Sequence, residues 1–180
     1  MKELTIEQRN QWAIDGYLHL QQVLSPEEVS FFSDQLDRIR HQPGYEPTDL
    51  QLGHYGWVEH TANTDPEGFM DRRDLLPYDD AFIELMDRST IFDMIVDIMG
   101  PYILFSMSQA IVRPATAKFP GYTHTDGGEA LRQIRVTESS RPLAVKALYL
   151  LTDVDDADSG NFTVFPGSHM RPFPDRKSVV

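Results

Sequence analysis

His124 and Asp126, separated only by Thr125 and followed by Gly127-Gly128, are the residues of this chain best suited to chemistry. Side chains two apart on an extended strand point to the same face. An imidazole and a carboxylate placed that way can grip one ion. They form the sequence-local half of a 2-His-1-carboxylate facial triad, which leaves positions open for a co-substrate and dioxygen. The pair alone says little. With six His and eighteen Asp in 180 residues, chance supplies about 0.6 such pairs. Its weight comes from what surrounds it.

Other chemistries are missing from the sequence. There is no cysteine, so disulfides, thiolate metal sites and cysteine nucleophiles are excluded. Neither GxGxxG nor GxxxxGK[ST] occurs, and GxSxG and HExxH are also absent. Asp153, Asp155, Asp156 and Asp158 crowd a short stretch before Gly160. Their spacing is not that of an EF-hand loop, and a solvated acidic turn is the better reading. His54 and His60 lie in an aromatic-containing region as substrate contacts or, more simply, surface histidines.

The elements that must position these residues can be read in outline. The chain has 180 residues, 41% hydrophobic and 24% charged, which fits one domain spanning 1–180 with a genuine core. The net charge of −12 argues against nucleic acid or an anionic membrane as partner. The absence of cysteine fits a cytoplasmic location, the start of the chain is polar, and no apolar run is long enough to span a membrane.

Thr5 and Gln8 make a capping-box pattern, and Gly16 ends the helix that follows. Residues 17–20 alternate as a short strand would. Ser25-Pro26-Glu27-Glu28 opens a second helix, whose apolar face carries Val29, Phe32, Leu36 and Ile39. Residues 43–77 read as a long loop. Residues 80–99 read as one broken helix or two short ones, with Ile91, Met94, Ile95 and Ile98 on the apolar face and Gly100-Pro101 as the stop. Residues 102–112 then read as a buried strand, with further apolar runs at 143–151 and 161–165.

Ser108-Gln109-Ala110-Ile111-Val112-Arg113-Pro114 precedes the His-x-Asp pair. Behind it come Tyr149-Leu150-Leu151-Thr152-Asp153, then Gly160-Asn161-Phe162-Thr163-Val164-Phe165, then Pro166-Gly167-Ser168-His169. Asp15-Gly16-Tyr17 and Leu24-Ser25-Pro26-Glu27-Glu28-Val29 stand near the start. In this order the motifs resemble the phytanoyl-CoA dioxygenase family of non-haem Fe(II), 2-oxoglutarate-dependent oxygenases, over most of the chain.

The resemblance implies an α+β fold: a double-stranded β-helix, or cupin-like jelly-roll, with N-terminal helices packed on it. It implies His124 and Asp126 as iron ligands, with Gln109 and Tyr149 contacting 2-oxoglutarate. The expected cofactors are Fe(II), 2-oxoglutarate and O2, and the expected partner is a small organic substrate. The acidic charge weighs mildly against a coenzyme A ester. The Pro-Gly-Ser-His turn is expected near the mouth of the site.

The family's second iron histidine and its 2-oxoglutarate arginine lie beyond that turn and have no match here. Only about four of the eight expected strands can be read. The expectation is therefore the N-terminal part of an oxygenase domain, with a missing C-terminal segment supplying the second His and the Arg. A non-catalytic binding or scaffold module on the same fold is the alternative.

Overall fold

The computed structural model describes residues 3–43, 70–113, 134, 137, 139–157 and 159–170. The chain runs α1 (Ile6–Asp15), α2 (Pro26–Arg40), β1 (Met70–Arg73), α3 (Ala81–Met86), α4 (Ser89–Met99) and β2 (Gln109–Val112). It is a mixed α+β arrangement of four helices and one two-stranded antiparallel sheet among the described residues.

Local chemistry sets the first two helices. The Thr5 side chain accepts the Gln8 backbone N–H, and the Gln8 side chain accepts the Thr5 N–H in return. Ser25 and Glu28 repeat this arrangement at α2, with Pro26 in the first turn. Each box satisfies two amide donors that a helix start otherwise leaves open. Gly16 closes α1 with φ +80, and its N–H donates to the Trp12 carbonyl. Of the two forms expected for residues 80–99, a broken helix or two short ones, the second is found: α3 and α4 meet at Asp87 and Arg88.

Phe32, Leu36 and Ile39 lie one helical turn apart and bury one face of α2. They meet Met70 and Ala110 of the sheet together with Leu75 and Phe82. Removing one such side chain from water is worth about 2 kcal/mol. Phe32 also packs against Phe82 at 5.8 Å between ring centres. Charged ties join the helices at their margins. Arg88 at the start of α4 grips the Glu28 carboxylate of α2 through two bonds of 2.8 and 3.0 Å. Asp97 of α4 accepts the Leu4 N–H and pairs with Arg9 of α1 at 2.8 Å.

Strand expectations need correction. β1 lies inside the stretch read as loop, because Met-Asp-Arg-Arg carries no alternation of apolar residues. Of residues 102–112 only Gln109–Val112 is a strand. Tyr102 and Leu104 are 99% and 97% exposed rather than buried. Residues 17–20, 143–151 and 161–165 form no strand either. A strand exists through its ladder, and among the described residues β1 pairs only with β2. No jelly-roll barrel is seen among the described residues.

The later segments lie against the helices. The Arg141 guanidinium covers Gly100, Leu151 packs on the core, and the Gly167 N–H donates to the Asp15 carbonyl at 2.9 Å. No described helix is long and apolar enough to cross a membrane.

Candidate functional site

The β1–β2 ribbon has two chemically distinct faces. Its register pairs Met70 with Val112, Asp71 with Ile111, Arg72 with Ala110 and Arg73 with Gln109. Directly opposed residues of an antiparallel pair share a face. Met70, Ala110 and Val112 therefore face the helical core, which explains why they are apolar. Arg72 belongs to that face too, and its Nε donates to the Tyr78 hydroxyl at 3.2 Å. Asp71, Arg73, Gln109 and Ile111 take the other face. The ladder continues past the strands, where the Asp74 and Leu75 N–H groups donate to the Ser108 carbonyl and hydroxyl.

Gln109 is fixed on this second face. Its Nε2 donates to Asp71 Oδ1 at 2.6 Å, and Asp71 is only 1% exposed. The carboxamide thus turns its nitrogen, its only donor, toward Asp71. One Nε2 hydrogen is used there and the second is left for another acceptor.

Tyr149 is held elsewhere. Its hydroxyl donates to the Leu85 carbonyl of α3 at 2.9 Å. Burial pushes the phenol above its ordinary value, and the nearby Arg88 opposes that only in part. Tyr149 is thus a neutral donor near neutral pH. The sequence places Gln109 and Tyr149 in one pocket, whereas their hydrogen bonds lead to different elements, one to the second strand and one to a helix end.

The Pro166-Gly167-Ser168-His169 turn docks on the end of α1. The His169 ring lies over Gly16, leaving no room for a Cβ there. Gly167 itself has φ +78, a left-handed conformation that suits glycine. This joins the Asp15-Gly16 motif to the Pro-Gly-Ser-His motif in space, across most of the described chain.

His124 and Asp126 lie outside the described residues, as do His54 and His60. Among the described residues no three metal-ligating side chains converge. A separate cleft of about 230 Å3 opens between α1 and α4, lined by Leu4, Arg9, Trp12, Asp97 and Arg141 among others. Neither Gln109 nor Tyr149 lines it. Bonds from the Leu4 N–H first, and from Arg9, hold Asp97 below the ordinary carboxylate range.

Sequence reasoning missed Asp71 and Arg73. Nothing local marks them: they are charged residues in a Gly- and Pro-rich region, and their partner strand is 38 residues away from Asp71. Comparison with protein-family models, curated proteins and solved structures gives no match to this chain.

Proposed function

We propose that this protein is an Fe(II)- and 2-oxoglutarate-dependent dioxygenase of the phytanoyl-CoA dioxygenase type, acting on a small organic substrate. What supports the reading most is the ordered set of motifs around His124 and Asp126. The contact of the Asp15-Gly16 and Pro-Gly-Ser-His segments adds to it, because two motifs far apart in sequence belong to one piece of architecture. The jelly-roll is the fold this reading implies for the region that carries the metal pair.

A histidine nitrogen and a carboxylate oxygen are a donor set suited to Fe(II). His124 and Asp126 would hold the metal, and Gln109 would contact 2-oxoglutarate. When bound, iron, 2-oxoglutarate and dioxygen supply an oxidative decarboxylation that yields succinate and carbon dioxide, one oxygen atom entering succinate and the other the substrate. The protein's part is to bind, orient and shield. Gln109 does so with a carboxamide already turned by Asp71, so little rotamer freedom is lost on binding. Tyr149, kept neutral by burial, can donate but not act as an anion near neutral pH.

The experiment is to supply the purified protein with Fe(II), ascorbate and 2-oxoglutarate and to follow succinate. Metal-dependent succinate that His124→Ala and Asp126→Ala abolish supports the reading. Succinate release that both variants retain removes the metal pair from it. Metal-independent binding of small molecules with no turnover would instead favour a non-catalytic module.

A further inference from the structure

We infer that the cleft between α1 and α4 binds a small aromatic carboxylate, its ring against Trp12 and its acid group on Arg141. The packing of α1 leaves room for such a ligand. No side chain of this helix is buried. Polar ties hold it toward its two ends instead: the Leu4 N–H and Arg9 bond Asp97, and the Asp15 carbonyl accepts the Gly167 N–H. Trp12, the largest side chain of α1, is only partly buried and lines the cleft, where Leu4, Ile98 and Pro142 complete an apolar wall. The cleft measures about 230 Å3. A cavity of about 150 Å3 takes a benzene ring, so a ring with a short acid arm fits here.

The charges of the lining select an acid over an amine. Asp97 is already engaged at both oxygens: Oδ2 accepts the Leu4 N–H at 2.9 Å and meets Arg9 at 2.8 Å, and Oδ1 accepts from Arg9 at 3.0 Å. An amine would compete with Arg9 for that carboxylate, whereas an acid would not. Glu3 also reaches Arg9 at 3.5 Å, but its side chain is 72% exposed and solvent screens it. Arg141 is the remaining cation of the lining. Its Nη1 lies 2.6 Å from where a Cβ on Gly100 would stand, over the end of α4, and α4 has no basic residue in its own last turn. The C-terminal end of a helix favours a cation, so the guanidinium reaches the cleft already placed. Its charge adds to the lowering of the Asp97 carboxyl, behind the Leu4 N–H and Arg9. A guanidinium carries five N–H donors in a fixed fork that matches the two oxygens of a carboxylate.

The site draws on neither Gln109 nor Tyr149 and needs no metal. It stands or falls independently of the oxygenase reading.

Tryptophan fluorescence of the whole protein carrying Trp57→Phe tests it, because Trp12 is then the only tryptophan. EDTA throughout keeps metal out of the measurement. Phenylacetate should change the Trp12 emission saturably, with a Kd at or below about 1 mM. Phenylacetamide keeps the ring and loses the charge, and it should bind at least roughly 10-fold more weakly. Arg141→Gln should weaken phenylacetate to a similar degree. Circular dichroism checks the fold of each variant, and the amide comparison decides the matter if Arg141→Gln does not fold. Calorimetry on the unmodified protein repeats the two titrations with position 57 unchanged. No saturable change with phenylacetate up to about 10 mM, equal affinity for phenylacetate and phenylacetamide, or unchanged phenylacetate affinity in folded Arg141→Gln protein each overturns the site.

Discussion

The imidazole of His169 lies over Gly16, in the space that a side chain at position 16 would fill. Two independent demands thus fall on one glycine. It closes α1 in the left-handed region at φ +80, and it makes room for the ring. The adjacent bond from the Gly167 N–H to the Asp15 carbonyl fixes the turn against the helix end at 2.9 Å.

Gly16→Ala should therefore destabilise the protein by more than the left-handed backbone alone costs, which is about 1 kcal/mol. In a His169→Ala background only the backbone part should remain. Urea unfolding of the two single variants and the double variant gives the coupling between the sites. Strict additivity would mean that the ring does not occupy that space.

Glu28 serves the α2 cap and the Arg88 pair at once. The Arg88 bond first, and the Ser25 N–H second, hold its carboxyl below the ordinary value of 4.5. The folded state therefore binds fewer protons here than the unfolded chain does as the pH drops. The stabilisation is present above the ordinary carboxylate range and is lost as pH falls through the lowered folded value. Melting temperatures between about pH 6 and pH 3 should fall less steeply for Glu28→Gln than for the unmodified protein. Parallel curves would show that the pair adds nothing to folding. Ser25→Ala, which removes the reciprocal cap acceptor, should cost about 1 kcal/mol at any pH in that range.

Tyr149 has the opposite sign. Its folded value is raised above 10.0 by burial. Its contribution is complete below the ordinary phenol range and is lost as pH rises through the raised folded value. Tyr149→Phe should cost about 1 kcal/mol near neutral pH, through the lost bond to the Leu85 carbonyl. The difference should shrink and then reverse at alkaline pH, where the buried tyrosine must ionise or unfold. Denaturant midpoints at neutral and alkaline pH check this, and a difference that grows with pH would contradict it.

What was legible in the sequence was local. Thr5 with Gln8 and Ser25 with Glu28 are capping boxes that act across three residues, and both form. Phe32, Leu36 and Ile39 follow the helical period and are buried. The ribbon was not legible, because β1 is defined by a partner and not by its own composition. Asp71 and Arg73 look like surface charges until the register places them beside Gln109. The apolar run at 143–151 misled for the complementary reason. Tyr149 and Leu151 do point inward, toward Leu85 and the core, but without a ladder the run yields packing and no strand. His124 and Asp126, outside the described residues, are proposed as a pair because that chemistry needs only a two-residue spacing.

The central claim is that His124 and Asp126 hold a divalent metal, and an Mn(II) titration followed by electron paramagnetic resonance tests it most directly. Mn(II) stands in for Fe(II) without its air oxidation. The account predicts that the unmodified protein removes free Mn(II) signal at a site for which Fe(II) competes. His124→Ala and Asp126→Ala should each abolish or sharply weaken that binding while leaving the circular dichroism spectrum unchanged. Unaltered Mn(II) affinity in both folded variants would contradict it.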